Sequence, residues 1–464
     1  MLLDGGTQMK KRSVDMTTGN PLRIIVMFAL PILLGQIFQN LYNSVDSIVV
    51  GNFVGTTALA AVSSSADISR LLVGFFTGLS TGAGVLFAKY FGAGDYDDLH
   101  RSIHTALTFS LTLGLVMALT GVILTPFLLR IVDCPADVFP EAQMYLRIYF
   151  IGTLFTAIYN VASGVLRAVG DSRSPLYYLI ITSLTNIVMD VLFVAIGGMG
   201  VEGVAFATII SQLLSCVLIF RNMLTTTDVY KLVPKDLKME KEYLSAIVEL
   251  GIPSAIQSSL TSISNLFVQR YINGFGSAAM AGTGAAKRID RFIGLIALSF
   301  GQATTTYVSQ NFGAGKTDRA FEAIRICLML GYGSVLLLGT PVYLFAEQAS
   351  RIFTNRPEAI VYSVAMIHTI MPLYFLQTTN QIFSNAVRGF GRSRAVMFLS
   401  LIGMIGCRQI YLAVSMAQNH VIENVYRGYP VGWGFSALFV IIYYFLVVKP
   451  GVLNGTIVAK KKRV

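Results

Sequence analysis

Apolar residues arrive in long unbroken runs along this chain rather than in the short alternations of strands. Stretches free of Asp, Glu, Lys and Arg cover 24–45, 71–88, 102–129, 148–166, 203–220, 250–269, 292–315, 326–346, 359–387 and 428–448. Each is long enough to cross a hydrocarbon core of ~30 Å as a helix rising ~1.5 Å per residue. Three more runs carry one ionisable residue each: 47–69 with Asp67, 174–196 with Asp190 and 395–418 with Arg408. Joining 71–88 to the run before it predicts twelve spans, at 22–50, 57–88, 102–130, 144–166, 175–197, 201–221, 244–272, 279–311, 322–345, 359–387, 395–418 and 431–449. Asn20 is placed to cap the first, with Pro21 at the opening helical position, where a missing N–H costs no bond. The residues ahead of it are polar, so no cleavable signal peptide is expected.

Composition agrees: 54% of the residues are hydrophobic and 13% are charged, about half the ~25% of a soluble domain. That scarcity changes the meaning of the formal charge of +11. So few charges cannot cover a phosphate backbone, which excludes nucleic acid as a partner. Sorted by loop, 24 basic residues fall on the side of the N-terminus, from Lys10, Lys11 and Arg12 to Lys460, Lys461, Lys462 and Arg463. Only Arg130, Arg147, Arg351, Arg356 and Arg427 fall on the other. Such a bias over short loops predicts a multi-pass protein of the cell (plasma) membrane with both termini cytoplasmic. An odd number of spans would scramble it.

The chain reads as a duplication. Phe91-Gly92-Ala93-Gly94 recurs as Phe312-Gly313-Ala314-Gly315, and Arg167-x-x-Gly170-x-Ser172-Arg173 recurs as Arg388-x-x-Gly391-x-Ser393-Arg394, both 221 positions on. Gly55, Ala58, Arg70 and Asp97 meet Gly276, Ala279, Arg291 and Asp318 at the same spacing, while Pro31 and Asn43 meet Pro253 and Asn265 one position further out. Two separate motifs at one offset are not a chance match. The expected organisation is a first lobe at 1–221 with helices 1–6, a cytoplasmic linker at 222–243, and a second lobe at 244–464 with helices 7–12 and a basic tail. Six spans per half put both halves into the membrane in the same sense, related by a pseudo-two-fold axis along the membrane normal, which is a transporter architecture. The fold class expected is therefore all-α integral membrane, twelve transmembrane helices in two six-helix lobes.

Polar atoms inside the spans are the candidate chemistry, because in lipid each needs a partner, a cavity or a function. On helix 1, Gln36, Gln39, Asn40, Asn43, Asp46 and Ser47 share one face, and helix 7 repeats the stripe with Ser254, Gln257, Ser258, Thr261, Ser264 and Asn265. Val268 stands where helix 1 has Asp46. Helix 10 adds Gln377, Asn380, Gln381 and Ser384, and helix 4 adds Tyr159, Asn160 and Ser163. Asp67 with Arg70, and Asp290 with Lys287, read as locally neutralised pairs one turn apart. Asp46 and Asp190 have no basic neighbour on their own helices. Counting residues from the outer helix ends puts Asp46, Asp190 and Thr208 at a common depth of about 8–10 Å, with Asn186 one turn from Asp190. Two carboxylates with amide and hydroxyl oxygens suit a shared proton or a small hard cation. Pro31 removes a helix bond below Asp46 and supplies a kink.

Pro31 with Gln36-x-x-x-Asn40-Leu-Tyr-Asn-x-x-Asp46, the paired Phe-Gly-Ala-Gly and Arg-x-x-Gly-x-Ser-Arg loops, and Asn186-x-x-x-Asp190 resemble the multidrug and toxic compound extrusion (MATE) family, and are similar to its DinF-like branch. The resemblance runs from about Gly19 to Lys449. It implies two six-helix lobes around a V-shaped cavity and cation-coupled export of organic, often cationic, drugs. It implies Asp46, Asn186, Asp190 and Thr208 as the H+ or Na+ site, with Pro31 as the helix 1 kink and no cofactor beyond that ion. Candidate cavity residues are Gln36, Gln39, Asn43, Tyr145, Asn160, Gln257, Thr261, Asn265 and Gln381, facing a small-molecule substrate in a monomer surrounded by membrane lipids. Some branches of the family place functional acids on helices 7 and 10; here those helices carry Ser, Thr, Asn and Gln.

The nearest rival is a flippase for lipids or lipid-linked precursors, which needs a strongly cationic cavity; Lys287, Arg288 and Arg291, with Asp290 among them, are the one candidate. A membrane enzyme is not expected. His100 and His104 stand four apart but lack the Glu of a zinc-protease motif, and no Walker sequence is present to drive an ATP pump.

Overall fold

The structure is a computed structural model describing residues 12–459, apart from the side chains of Asn43, Ser47, Thr56, Leu59 and Asp67. The cavity candidate Asn43, the expected Asp67 partner of Arg70, and the terminal basic residues Lys10, Lys11, Lys460, Lys461, Lys462 and Arg463 lie outside the described residues. Twelve long helical segments follow the predicted runs. They are α1 (Pro21–Val54), α2 (Thr56–Ala93), α3 (Tyr96–Ile131), α4 (Phe139–Ala168), α5 (Arg173–Ile196) and α6 (Val201–Thr225). The second half supplies α7 (Lys241–Asn273), α8 (Ser277–Gly313), α9 (Thr317–Leu344), α10 (Pro357–Gly389), α11 (Ser393–Gln418) and α12 (Ile422–Leu453). Most ends extend a few residues past the predicted ones, because helices continue beyond the hydrocarbon core.

Ten of the twelve are long and apolar enough to span a membrane on composition alone; α7 and α8 are long but too polar. Packing accounts for them. Both lie against α2 of the other half, so their polar faces meet protein rather than lipid.

Helix pairings repeat between the halves. In the first, α1 packs on α5, α2 and α6 on α4, and α5 on α6; in the second, α7 packs on α11, α8 and α12 on α10, and α11 on α12. Across the boundary α2 meets α8, while α7 lies along α2 and α1 along α8, the exchange that a two-fold relation produces. The repeated Phe-Gly-Ala-Gly motif sits on this boundary. A Cβ at Gly92 would collide with the Gln310 backbone, and one at Gly313 with the Lys89 backbone, so each glycine permits the same close approach. Gly94 and Gly315 then end the two helices at φ 71° and 72°, a left-handed cap.

Residues 12–19 strap this end. Val14 N–H donates to the Val169 carbonyl at 2.9 Å, Ser13 N–H to Asp228 Oδ2 at 3.0 Å and Met16 N–H to Gln310 Oε1 at 2.9 Å, while Lys316 Nζ donates to the Thr17 carbonyl at 2.9 Å. The linker is pinned to the start of α3. His104 Nδ1 bonds the His100 carbonyl at 2.7 Å and its Nε2 accepts the Val233 N–H at 3.0 Å. Asp236 clusters with the two histidines, but both His104 nitrogens are occupied, so the trio is a helix–linker clamp rather than a metal site. Beside it Arg101 pairs with Glu240 and holds that carboxyl below its usual range.

Among the described residues four spans contain π-helical turns: 50–54 in α1, 191–196 in α5, 402–407 in α11 and 444–448 in α12. A π turn accommodates one extra residue within a helix. That explains why Pro31 and Asn43 match the second half one position further out than Gly55 does: α1 gains a residue between them and α7 does not.

Candidate functional site

A cavity of about 280 Å³ opens inside the first lobe between α1, α2, α4, α5 and α6, closed on one side by Leu298 and Gln302 of α8. Pro31 lies on its wall, within a helix that continues on both sides. Of the predicted cavity residues, Gln36, Gln39 and Asn160 line it. Gln36 Nε2 reaches Ser299 Oγ at 3.4 Å, and Asn160 Oδ1 accepts from Thr77 Oγ1 at 3.3 Å. Tyr42, Tyr149, Tyr159 and Phe155 supply aromatic surface. Arg167, a loop residue by sequence, also reaches the lining and donates to Ser80 Oγ at 3.4 Å.

Tyr42, Asn186 and Thr208 line the same cavity, and Asp46 and Asp190 follow Tyr42 and Asn186 by one turn on α1 and α5. Asp190 is 0% exposed, on the last α-helical turn of α5 before the helix widens at 191–196. Asp46 comes from α1, one turn before its own π turn, and its carboxyl lies within hydrogen-bond reach of Asp190. Among the described residues no donor reaches Asp46 Oδ1 or either Asp190 oxygen, and both polar atoms of Asn186 are buried without a partner. Thr208 Oγ1 donates to the Val204 carbonyl at 2.9 Å and keeps its lone pairs free to accept. Tyr145 is buried beside the carboxylates and stacks on Tyr149 with ring centroids 6.2 Å apart, rather than lining the open cavity.

Two carboxylates in contact at this depth cannot both stay charged and unpaired. A proton between them satisfies the arrangement. So does a small hard cation, since the Asp46 and Asp190 carboxylates, with Asn186 Oδ1 and Thr208 Oγ1 on the neighbouring cavity wall, offer oxygens. The site thus fits either ion that the sequence left open.

The second lobe is built differently at the same places. The π turn of α11 precedes Arg408 and that of α5 follows Asp190, so between them the two helices match at the wider register. There Asp46 corresponds to Val268, Asp190 to Leu412 and Asn186 to Arg408. Val268 and Leu412 are both 0% exposed and pack together with Ile272, Met416 and Val425. The other predicted cavity residues, Gln257, Thr261, Asn265 and Gln381, belong to this lobe and do not line the first-lobe cavity. Gln257 Oε1 accepts from Arg388 at 2.8 Å and Asn265 Oδ1 from Arg408 at 3.1 Å, while Thr261 bonds the Gln257 carbonyl at 2.8 Å and Gln381 lends its own carbonyl to Asn385 at 2.8 Å. Their face is taken up by two buried arginines that sequence reasoning did not connect to it. The signal was present as an unpaired Arg408 in an apolar run opposite a stripe of neutral acceptors. The expected Asp290–Lys287 pair does not form either. Lys287 Nζ turns instead to Gln269 Oε1 of α7 at 2.8 Å.

Comparison with known proteins supplies the remaining observations. A family model described as MatE matches residues 31–192 and again 253–414, the second block opening on Pro253 as the first opens on Pro31. The probable multidrug resistance protein YoeA of Bacillus subtilis strain 168 is 30% identical over 440 residues, covering 92% of this chain and 94% of its own length. The probable multidrug resistance protein YpnP of the same organism is 29% identical over 430 residues, covering 92% and 95%. Among solved structures, an outward-facing conformation of a multidrug resistance MATE family transporter superposes with a TM-score of 0.89 at 22% identity, over 96% of this chain and 99% of that one.

Proposed function

The chain belongs to the MatE family of membrane transporters, and from that premise we propose that it exports small organic molecules across the cell membrane in exchange for H+ or Na+ bound at Asp46 and Asp190. The observation that carries this reading is the carboxylate pair itself: two acids in contact beside a cavity, with Asp46 Oδ1 and both Asp190 oxygens buried and, among the described residues, no ion pair to either acid. An ion entering from outside neutralises the pair, α1 and α5 close on each other, and the cavity between them changes shape. Pro31, which cannot bond the Met27 carbonyl one turn earlier, lets α1 give way below the site. The strap and the Gly92 and Gly313 contacts keep the cytoplasmic end shut meanwhile. Alternating access then needs only the two lobes to rock about this boundary. Both termini lie in the cytoplasm, the monomer is the working unit, and the cargo is organic and amphipathic, in keeping with the polar and aromatic lining.

Transport of a fluorescent amphipathic dye by purified protein in liposomes, under a proton or a sodium gradient imposed separately, tests the reading. Wild type should export under one of the two. Asp190→Asn and Asp46→Asn should each lose export to background while unfolding at wild-type temperature. Dye export surviving in both variants would falsify the coupling site. If the ion is Na+, saturating sodium at about 100 times its Kd stabilises wild type by ~2.7 kcal/mol. Asp190→Asn should not respond.

A further inference from the structure

Arg408 is 2% exposed, near the middle of α11. Its NH1 donates to Asn265 Oδ1 at 3.1 Å and its NH2 to Ser264 Oγ, both neutral acceptors, and its Nε has no partner. The guanidinium lies 5.7 Å from the ring centroid of Tyr429, whose hydroxyl is also buried without a partner. From α8, Lys287 gives its ammonium to the neutral Gln269, and the charges of Asp290, Arg408 and Arg291 all act on it. Arg408 and Lys287 thus bond neutral side chains one turn apart on α7, Arg291 follows Lys287 by one turn on α8, and among the described residues none of the three forms an ion pair. Arg291 carries the cluster to an exposed position at the lobe boundary, within electrostatic range of Arg70 on α2.

A cation at membrane depth requires an anion, trapped water or a functional cavity. Guanidinium with ammonium at separate angles matches the oxygens of a carboxylate or phosphate. The unpartnered Arg408 Nε and Tyr429 hydroxyl add donors without acceptors. We propose that Arg408, Lys287 and Arg291 bind an acidic group, a carboxylate or phosphate, on the molecule that the protein carries, so that the cargo is an organic anion or zwitterion. The identity of the ligand as cargo rests on the export reading above; the anion site itself does not. The two lobes then divide the work: the first takes the coupling ion, the second takes the acidic end of the cargo, and the exposed Arg291 is where that end arrives.

Trp433, the single tryptophan of the chain, reports on the cluster. Its ring centroid is 6.2 Å from that of Tyr429 and 5.4 Å from that of Tyr374, which bonds the Asp290 carbonyl. In phosphatidylcholine nanodiscs, octyl phosphate should shift Trp433 emission saturably, and octyltrimethylammonium, with the same chain, should not. Arg408→Gln and Lys287→Gln should each weaken the response about tenfold or more, the loss expected for one hydrogen bond to a charged group. Thermal unfolding checks that each variant is folded. If Arg408→Gln is not, Lys287→Gln carries the test, because its half-buried lysine is held by one neutral bond. An equal response to both head groups, or wild-type affinity in a folded Lys287→Gln, overturns the proposal. Adding phosphatidylglycerol to the discs separates the two sources of an acidic group. Competition would move the site from cargo to a lipid head group and overturn the cargo assignment; no competition upholds it. Binding is read without an ion gradient, so this result stands or falls independently of coupling.

Discussion

The two lobes share a helix plan and differ in the sign of the charge they bury. In the first, α1 and α5 bring Asp46 and Asp190 together beside Asn186; in the second, the matching helices bring Val268 and Leu412 together beside Arg408. A duplicated backbone thus holds an unsatisfied acidic pair on one side of the pseudo-two-fold axis, and a dry apolar contact with an underpaired cation on the other. The contrast teaches that packing alone closes these helices perfectly well. Val268 and Leu412 do it without any polar atom, so the carboxylates in the first lobe are a cost to stability that export must justify.

Exchanging the two pairs puts the largest strain on this comparison. Asp46→Val with Asp190→Leu should unfold at a higher temperature than wild type, because buried groups without partners give way to apolar contact, and should export nothing. Val268→Asp with Leu412→Asp should be strongly destabilised, by about 3 kcal/mol per carboxylate before lost packing is counted. Unfolding temperature in detergent and dye export in liposomes check both. A first-lobe exchange that lowers stability would mean that the carboxylates are structural, and the contrast between lobes would lose its functional meaning.

Much of this was legible in the sequence and some could not be. The spans were, because charge-free runs reflect the medium directly, and α7 and α8 were recovered only by counting charges, since their mean hydropathy is too low. Asp46 and Asp190 stood out because a carboxylate in lipid is conspicuous wherever it lies. The register between α5 and α11 was not legible, because it depends on π turns at 191–196 and 402–407, whose extra residue leaves no mark in composition or periodicity; the turn at 50–54 did show, as the one-position shift that set Val268 opposite Asp46. Until those turns are placed, Leu412 and Arg408 have no visible counterparts. Long side chains caused the remaining misses. Arg167 starts near a loop and reaches the cavity lining, Arg388 starts near one and ends buried, and Lys287 passes over its helical neighbour Asp290 to reach Gln269.

A symmetric pair of substitutions sharpens the comparison at smaller scale. Gly92→Ala and Gly313→Ala each place a Cβ against backbone of the opposite lobe, at Gln310 and Lys89. Backbone cannot step aside as a side chain can, so each should cost about 1–3 kcal/mol. Here the lobes should behave alike, since both contacts belong to the same two-fold boundary. Cysteine-accessibility labelling at the end strapped by residues 12–19 should rise in both variants, as the contact that shuts that end is loosened. A silent Gly313→Ala beside a damaging Gly92→Ala would show that the boundary is not symmetric.

The smallest effect expected is at Arg101 and Glu240, which join α3 to the linker between the lobes. Arg101 is exposed and Glu240 half-buried, so screening and the entropy of two long side chains leave this pair with little net stabilisation. The neighbouring contacts from His104 to Val233 and from Thr105 to Glu240 N–H remain when the charges are removed. Arg101→Gln with Glu240→Gln should therefore leave unfolding temperature and export unchanged within error. Should export fall while stability holds, the linker would be transmitting movement between the lobes through that charge pair. Function would then lie in the connection as well as in the opposed charges that the lobes bury.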